Sequence, residues 1–539
     1  MLHRLSSLLL FSALLTYCFA LPLAHAASLP LIDADLEQGG TPFSGLSVGG
    51  WVLSGNVWQP NIDHFPQPLL QRFGDSDGHN EDLPNCAFSM LVSQKAELYT
   101  PYKLLAGKTY KFSLDVGCPS NWDSFEGAKV EIRVWDGNVA NPGIITLASL
   151  DIPAGDIVPG EVKRYDLSYT VPMQDLAVGR IYTSFHALGE LPHVSFDNLS
   201  LEVDLSTAEV TAYIAASTAP VDDGYRPTMR LNAVDEGVIF RHGEGPDQCD
   251  MNGAREPTII VENDTYFLFY DGGGPRGWLA CLATSKDLRT WTRHGPVLDF
   301  GAPGEPDAGS ALSPWFIKEG DTWHMYYVTA ENNAGPPGFL AAGPYNSGHA
   351  RSKSLMGPWV KTKNYVPVKP KPEGQGYPQG MAYPGHVVKK DDGEYLMFYG
   401  GMGGIGIART RDLTGEWVTD PTPFVDKHFH IENSSVYYEP ANKTWFLFVN
   451  HINSKDGYTD STWVFWSNDL EKWSSDQRAI ALDGENCTWS ERCFGMATVT
   501  KIGKRLALVY DAAPGQSTSH LGRDIGLAWY DLPLTPPKK

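Results

Sequence analysis

Five segments in the C-terminal part of the chain repeat one pattern of apolar and polar positions. In each segment, a polar or acidic head precedes a short apolar strand, a charged or Asn/Gly turn, and a strand rich in aromatic residues. This pattern is typical of a β-hairpin. The five segments span residues 257–272, 313–329, 385–401, 434–451 and 496–512. The fourth, with the head HIENSS and the strand TWFLFVNH, is the clearest copy.

A second piece follows each of the first four hairpins and contains a turn with Asp or Ser and then a tryptophan. Its copies are ATSKDLRTW, ARSKSLMGPW, ARTRDLTGEW and WSNDLEKW, and the last unit ends in IGLAWYDLPL. This piece adds a third strand and the start of a fourth. Five such units at a spacing of roughly fifty residues predict a five-bladed β-propeller over residues 239–539.

The N-terminal part of the chain has a different pattern. Over residues 27–204, short runs of alternating apolar and polar residues are separated by Gly, Pro and Asp, as in AKVEIRVWDG. This alternation predicts an antiparallel β-sandwich. Residues 205–238 have weak periodicity, so we interpret them as a connection that can also supply a strand closing the propeller ring. The predicted fold class is therefore all-β, a sandwich followed by a propeller.

Three motifs of the predicted sandwich resemble the jelly-roll modules, similar to carbohydrate-binding modules, that are appended to many exported bacterial proteins. The motifs are GWVLSG with a following WQP, LLAGKTYKFSLDVG, and a terminal FDN strand. The resemblance implies glycan binding or structural support. Exposed tryptophans could stack on sugar rings, but the same residues also fit a sandwich core, and we assign no binding site here. The tryptophans concerned are Trp51, Trp58, Trp122 and Trp135.

The first 26 residues predict a signal peptide. His3 and Arg4 precede an apolar run over residues 5–20, and Ala24 and Ala26 form the small-x-small pattern of a cleavage site. The alternative, an uncleaved membrane anchor, conflicts with a run shorter than the roughly 20 residues that a spanning helix needs. We therefore expect a secreted or periplasmic protein that has no membrane association after cleavage.

Export also favours disulfide bonds among the cysteines that remain after cleavage. The simplest of the possible connectivities pairs sequence neighbours, and the alternative is that some cysteines are buried free thiols. Because there is no CxxC motif, a structural zinc site is not expected. The cysteines are Cys86, Cys118, Cys249, Cys281, Cys487 and Cys493.

The formal net charge of -21 at pH 7 argues against nucleic acid or anionic lipid as a partner, because both need a basic surface on the protein. Neutral carbohydrates remain compatible with this charge. The sequence does not indicate an oligomeric state.

The geometry of a propeller predicts where along the repeat the residues of a functional site lie. If the innermost strand of each blade begins at one end of the channel, the heads of the first strands, the ends of the second strands and the starts of the third strands share one surface. Carboxylates from several blades then converge, and like charges held together raise the pKa values of carboxyl groups. Glycoside hydrolysis needs such a pair, with one group protonated and one charged.

The repeat and its heads, over residues 238–534, resemble the five-bladed propeller glycoside hydrolases, the broad group that includes families 43, 62, 32, 117 and 130. HIENSSVYY is similar to the head that carries the general acid, which implies this role for Glu432. AREPTII is similar to the head in which an acidic residue opens the first blade, so the base is Glu256 or, just upstream, Asp250. EPDAGSALSPWFI is similar to the second-blade head, with Asp307 as the expected group that tunes the acid.

This chain departs from the family pattern in several respects. Glu256 stands where the first-blade head usually has Asp, and Trp315 replaces the Asp expected after Pro in the second-blade head. Glu432 falls in the fourth blade, whereas family 43 usually places its acid in the third blade, where this chain has Tyr383 and His386. A histidine can act as a proton donor or as a ligand in the central channel. The residues that we expect to bind substrate are His386, His430, His451, Arg255, Asp271, Glu331, Asp511 and Arg523.

The expected function is hydrolysis of a plant or algal poly- or oligosaccharide. We expect attack at chain ends, because two loops rich in Gly and Pro, residues 332–349 and 367–384, can close the cavity. The alternatives are a non-catalytic glycan-binding protein and a lyase or phosphorylase on the same scaffold. No cofactor is expected, although the oxygen-rich loops are compatible with a structural calcium ion.

Overall fold

The computed structural model describes two regions of the chain. In the N-terminal region it describes residues 26–29, 47–48, 51–54, 57–58, 88–90, 95–118, 124–135, 144–173, 180–188 and 194–218. In the C-terminal region it describes residues 223–538 except 334–338, 373–374, 376, 402–403, 425–428, 456 and 516. Residues 1–25 of the predicted signal peptide lie outside the described residues. The same holds for Trp122 and for the side chains of Trp51, Trp58 and Trp135.

The N-terminal region is a sandwich of two antiparallel sheets, each with six strands. Its strands are β1 (Ala26–Leu29), β2 (Ser47–Val48), β3 (Trp51–Ser54), β4 (Val57–Trp58), β5 (Phe88–Met90), β6 (Lys95–Lys103), β7 (Thr109–Gly117), β8 (Ala128–Trp135), β9 (Ile144–Ile152), β10 (Val162–Thr170), β11 (Arg180–Ala187) and β12 (Val194–Asp204). One sheet has the order β10-β7-β12-β5-β4 with β1 paired to β12, and the other has the order β2-β3-β6-β11-β8-β9.

The core of this sandwich follows the period of two that the sequence shows. In β8, Ala128, Val130, Ile132 and Val134 are fully buried, while the residues between them face away from the core. Successive side chains of a strand point to opposite faces of the sheet. The alternation in AKVEIRVW therefore predicted both the strand and its buried face.

A helix that the sequence pattern did not reveal, α1 (Thr207–Thr218), follows the sandwich. Its start is a capping box, in which the backbone amide and the hydroxyl of Ser206 donate to the Glu209 carboxylate at 2.8 and 2.6 Å. The Ser-x-x-Glu spacing was a usable signal for this helix. Arg492 of the C-terminal region donates to the carbonyl of Ser217 at 2.6 Å, which ties the end of α1 to that region. Within the described residues, no helix is long and apolar enough to cross a membrane.

The C-terminal region contains five four-stranded antiparallel blades within the described residues. Blade 1 is β14 (Ala254–Glu262), β15 (Thr265–Gly274), β16 (Gly277–Ser285) and β17 (Thr292–Pro296). Blade 2 is β18 (Ser310–Glu319), β19 (Thr322–Ala330), β22 (Asn346–Ser352) and β23 (Val360–Lys361), with the small hairpin β20 (Asn332–Asn333) and β21 (Ala341–Ala342) between β19 and β22. Each of the predicted hairpins forms the first two strands of one blade.

The other blades have the same organisation. Blade 3 is β24 (Val387–Lys389), β25 (Tyr395–Gly401), β26 (Gly404–Thr410) and β27 (Val418–Thr419). Blade 4 is β28 (Ile431–Glu439), β29 (Thr444–Ile452), β30 (Thr459–Ser467) and β31 (Arg478–Leu482). Blade 5 is β32 (Phe494–Ile502), β33 (Arg505–Ala512), β34 (Asp524–Asp531) and, from an earlier part of the chain, β13 (Val234–Phe240).

The blades form a closed ring. The innermost strand β14 contacts β18 of the next blade and β32 of the last blade, β18 contacts β24, and β28 contacts β25 and β32. Strand β13 pairs with β34 and so completes the last blade with the segment that precedes the first. The closing strand expected in the connection is therefore present, and it begins before the boundary that we placed at residue 239. The predicted all-β fold, a sandwich followed by a five-bladed propeller, is confirmed.

Near the start of the first strand, four of the five blades carry a β-bulge. In blades 1, 2 and 4 the residues at the bulge are Glu256, Ser313 and Asn433, with φ values of 51°, 50° and 54°. This left-handed region is sparsely populated by residues other than glycine. A bulge redirects the side chains next to it, and backbone strain of this kind concentrates at functional sites.

The predicted disulfides are not formed among the propeller cysteines, although the side chains of Cys249 and Cys281 lie next to each other. The free thiols are Cys249, Cys281, Cys487 and Cys493. Cys487, for example, lies 3.3 Å from the hydroxyl of Tyr510 instead of bonding to its sequence neighbour. Cys493 likewise accepts a hydrogen bond from Arg523 at 3.0 Å. The expected partner of Cys118, Cys86, lies outside the described residues.

Candidate functional site

A cavity of about 460 Å³ opens at the end of the ring where the bulges lie. Its polar lining comes from the heads of the first strands of blades 1, 2 and 4, and from the segment before β34. Its apolar lining comes largely from blades 1 and 2 and from the two loops 332–349 and 367–384. The lining residues are Arg255, Glu256, Asp271, Trp278, Leu312, Ser313, Val328, Leu340, Ala341, Tyr345, Met381, Tyr383, Gly401, Glu432, Asn433, Ile452 and His520.

Glu432 lies at the head of blade 4 and is partly exposed to this cavity. Asn450, its partner on β29, donates a hydrogen bond to Oε1 at 2.8 Å. Asn450 in turn accepts one from Asn433 at 3.1 Å, so the carboxyl group is held in one orientation. Loss of water around the group, and then the negative charge of Glu256, raises the pKa of Glu432 to about 6. A proton is therefore retained up to mildly acidic pH.

Glu256 supplies a second carboxylate from blade 1. Its Oε1 forms an ion pair with Arg255 at 3.1 Å, and the hydroxyl of Ser313 donates to its Oε2. Its backbone amide donates to Asp511 at 2.9 Å, which fixes the strained conformation at the bulge. Positive charge and hydrogen-bond donors thus surround Glu256, whereas Glu432 receives its hydrogen bond from an uncharged amide.

Asp271 supplies a third carboxyl group beneath the other two. Its side chain is buried, and the hydroxyl of Ser313 lies 3.0 Å from Oδ2. The backbone amide of Ser313 also donates to Asp271. Burial, and then the charge of Glu256, raises the pKa of Asp271 well above its ordinary value. Ser313 therefore connects Glu256 and Asp271. In addition to burial, the charge of Glu256 raises the pKa of both Asp271 and Glu432.

Basic side chains lie beside these acids. The guanidinium of Arg255 lies over the ring of Trp278, 5.3 Å from its centroid. Arg523 is buried and donates to Asp511 at 3.0 Å, and it lies 3.4 Å from Nδ1 of His520. The surrounding protein, and then the charges of Arg523 and Arg255, lowers the pKa of His520 well below its ordinary value. His520 is therefore neutral near pH 7.

Asp250 lies away from the cavity. It is fully buried, forms an ion pair with Arg293 at 2.9 Å, and accepts the amides of Gly243 and Gly245 at 3.1 and 2.8 Å. These donors engage both carboxylate oxygens, so Asp250 organises the segment before blade 1. Of the two residues considered for the base, the structure brings only Glu256 next to Glu432.

Four further residues predicted for the site are absent from the lining: Asp307, Glu331, and the buried Asp511 and Arg523. Asp307 forms an ion pair with Lys361 and accepts a hydrogen bond from Tyr327 at 3.1 Å, which anchors the loop before blade 2. Glu331 is exposed just after β19. In place of Asp307, the buried acid beside the pair is Asp271.

The histidines predicted to bind substrate occupy three different environments. His386 lines a separate cavity of about 340 Å³ that is bordered by the inner strands, and burial lowers its pKa to about 4. His451 is buried between Asp460 at 2.8 Å and Asp223 at 3.3 Å. His430 precedes Ile431 and has a φ of 50°. None of the three is among the residues that line the main cavity.

Several residues of the site had no assignment from the sequence. Asn450, which orients Glu432, is the neighbour of the predicted His451, and because strand side chains alternate, the register decides which of the two faces the cavity. His520 stands in the segment TSHLGRD, which has no hairpin pattern. Trp278 and Tyr345 lie in parts of the repeat that were assigned to strands and loops only.

No family model matches the chain. Over 146 residues, or 24% of this chain, it is 27% identical to the "1,2-beta-oligomannan phosphorylase" of Thermoanaerobacter sp. (strain X514). The match covers 47% of that relative, so the chain spans about half the length of this curated protein.

Solved structures with a similar fold have low sequence identity. A protein described as a glycoside hydrolase is 16% identical with a TM-score of 0.43, over 57% of this chain and 96% of that one. The α-L-arabinanase of Cellvibrio cellulosa is 14% identical with a TM-score of 0.39, over 50% and 90%. The α-L-arabinofuranosidase of Podospora anserina is 14% identical with a TM-score of 0.40, over 57% and 99%. These similarities assign no activity to this chain.

Proposed function

We propose that this chain is a glycoside hydrolase in which Glu432 protonates the leaving oxygen and Glu256 supplies the second carboxylate. The observation that supports this most directly is the difference between their surroundings within one cavity. Glu432 has a pKa raised to about 6, while Glu256 is paired with Arg255. Two carboxyl groups in contrasting environments are what glycosidic cleavage requires, one to donate a proton and one to act on water or on the anomeric carbon.

The remaining polar residues fit supporting roles in this reaction. Asp271, which has a pKa raised well above its ordinary value, holds Ser313 against Glu256. The Asn450 amide keeps Glu432 directed at the cavity. Among the described residues, Glu432 and Glu256 have separate hydrogen-bond partners. Water or a sugar hydroxyl can therefore approach both carboxyl groups.

We also propose that cleavage occurs at chain ends. Leu340 and Tyr345 of one loop and Met381 and Tyr383 of the other line the cavity, so the described parts of both loops stand around it. A volume of about 460 Å³ is at the small end of the usual range for ligand cavities, roughly 300–1,000 Å³. Such a cavity suits one or two sugar units more than the middle of a long chain.

The test is a screen of plant and algal polysaccharides and of aryl glycosides, with analysis of the released sugars. The wild-type protein should release a monosaccharide or disaccharide, and Glu432→Gln should lower kcat by at least about 100-fold, the lower end of a general acid's contribution. The matched control is Glu485→Gln, since Glu485 is 71% exposed and pairs with Arg230. Full activity of a folded Glu432→Gln variant would refute the proposal. Retention of glycan without any release of sugar would favour a binding protein instead.

A second candidate is phosphorolysis, in which phosphate replaces water. The observation that favours it is that Arg255 and His520 line the cavity beside the carboxylates, with the buried Arg523 3.4 Å from Nδ1 of His520, since arginine and histidine donors bind phosphate well. The partial relative is itself named as a phosphorylase. Release of a sugar 1-phosphate that depends on added phosphate would establish this reaction, and cleavage at an unchanged rate without phosphate would exclude it.

A further inference from the structure

We propose that the cavity selects a terminal sugar that carries a methyl group where common hexoses carry a hydroxymethyl group, or a methyl ether where they carry a hydroxyl group. The proposal rests on the proposed function, because it names the sugar class that the same cavity takes. It arises from a comparison among the blades of the ring.

In four blades, one cross-strand pair stands immediately before the bulge of the first strand. Residues directly opposite each other on neighbouring strands direct their side chains to the same face of the sheet. The pairs are Arg255–Asp271 in blade 1, Leu312–Val328 in blade 2, Glu432–Asn450 in blade 4 and Phe494–Ala512 in blade 5. The pair in blade 5 is fully buried and does not line the cavity. Blades 1 and 4 therefore present charged and polar groups at this position, and blade 2 presents two aliphatic side chains.

The aliphatic pair is part of a larger apolar wall, which we define as Trp278, Leu312, Val328 and Leu340. All four residues line the cavity. Leu312 and Leu340 pack against the small cluster formed by Trp278 and Leu521, so the wall joins blade 1 and blade 2 to the loop that follows β19. Leu312 is partly exposed to the cavity, whereas Val328 and Trp278 are 5% and 2% exposed.

Arg255 lies over Trp278 at the blade 1 end of this wall, and two further polar groups of the cavity come from other blades. Glu432 comes from blade 4 and Tyr383 from the segment before blade 3, and the ring of Tyr383 lies against Gly400. Among the described residues, none accepts a hydrogen bond from the Tyr383 hydroxyl, and burial raises its pKa well above the ordinary value. This hydroxyl is thus a donor for a sugar oxygen. A sugar bound between the two sides meets acids and a donor on one face and hydrocarbon on the other.

A hydroxyl placed against the wall would lose its hydrogen bonds to water and gain none from the protein, which is unfavourable. A methyl group at the same place would bury apolar surface without that loss. Discrimination by one methylene-sized group in an apolar pocket is commonly about 10-fold or more. We therefore expect a 6-deoxy or O-methyl sugar to be preferred over its hydroxylated parent by at least about 10-fold.

The experiment measures binding and turnover separately, using matched pairs of para-nitrophenyl glycosides. The pairs are fucoside and galactoside, rhamnoside and mannoside, and quinovoside and glucoside, each in D and L forms, with mono-O-methyl derivatives of the parents as a further arm. Binding is measured by calorimetry on Glu432→Gln, which cannot turn over the ligand under the proposed function. At least one deoxy or O-methyl member should bind at least about 10-fold more tightly than its parent.

Leu312→Asn should reduce this preference toward unity, because the amide can hydrogen-bond a sugar hydroxyl. Val360→Asn is the matched control, since Val360 is 64% exposed on the outer strand of the same blade, and it should leave the preference unchanged. If Leu312→Asn does not fold, Leu312→Ala should lower the preference by removing the methyl contact. Equal or tighter binding of every parent, or binding of none of the glycosides, would overturn the proposal.

Turnover by the wild-type protein separates this proposal from the proposed function. Hydrolysis of parent and methyl-bearing glycosides with equal kcat/KM would refute the methyl preference and leave the hydrolase intact. Selective binding of a methyl-bearing glycoside without hydrolysis or phosphorolysis would refute the enzyme and leave the preference intact. Each of the two proposals can therefore be refuted without refuting the other.

Discussion

Replacing Glu432 with glutamine should make the protein more stable at neutral pH while it removes activity. The pKa of Glu432 rises from 4.5 to about 6 in the folded protein. Below pH 4.5 the carboxyl group is protonated in both the folded and the unfolded chain, and it makes no difference to stability. As the pH rises through 6, the unfolded chain releases the proton more readily, so the folded state loses stability.

The size of this loss follows from the rise of about 1.5 in pKa. At about 1.36 kcal/mol for each pKa unit, the ionised carboxylate costs the folded protein about 2 kcal/mol at pH 7. Glutamine resembles the protonated form and can still accept the hydrogen bond from Asn450. The variant should therefore match the wild type at pH 4 and exceed it by up to about 2 kcal/mol at pH 7.

The measurement is urea denaturation of both proteins at pH 4 and at pH 7, followed by circular dichroism, with Glu485→Gln as the exposed control. The difference in unfolding free energy between Glu485→Gln and the wild type should be the same at both pH values. The reasoning about Glu432 is refuted if the glutamine variant is no more stable than the wild type at pH 7, or if its advantage is the same at both pH values.

Three further outcomes test the organisation of the site. Glu256→Gln should lower kcat by at least about 100-fold with a much smaller change in KM, measured with the substrate found by the glycoside screen; a higher KM with an unchanged kcat would indicate a binding role only. Asn450→Leu removes the hydrogen bond that lowers the pKa of Glu432, so the basic limb of the kcat/KM profile should move to higher pH, and an unmoved limb would contradict the assignment of the acid. Asp250→Asn breaks the buried pair with Arg293, so the free energy of unfolding should fall by about 3 kcal/mol. The kcat of the folded fraction should stay the same, and a large loss of kcat would indicate that Asp250 takes part in catalysis.

The architecture was largely predictable because its signal is local and repeated. A period of two identifies a half-buried strand wherever it occurs, and five copies of the same hairpin leave few arrangements other than a ring of blades. The same reasoning placed Glu432 and Glu256 at one end of the ring. It missed α1, whose apolar periodicity is weak, although the spacing of Ser206 and Glu209 marks its start.

Assignments that depended on one residue's exact register were less successful. His451 and Asn450 are neighbours in sequence, but one is buried between Asp223 and Asp460 and the other holds Glu432. The hairpin pattern of the sequence places both residues at the end of the same strand and does not distinguish between them. Only the bulge after Glu432 decides which face of β29 stands behind the carboxyl group.

By itself, the sequence determined the strands, the number of blades and the end of the ring at which acidic groups collect, because these follow from periodicity and from repetition. The tertiary structure alone decided which acids act together. Asp250 and Glu256 lie within one short segment, yet Arg293 neutralises the first, and Glu256 faces Glu432 across the cavity. That choice depends on partners more than forty residues away in the chain, and the chemical function of a carboxyl group is set by such partners and by its exposure to water.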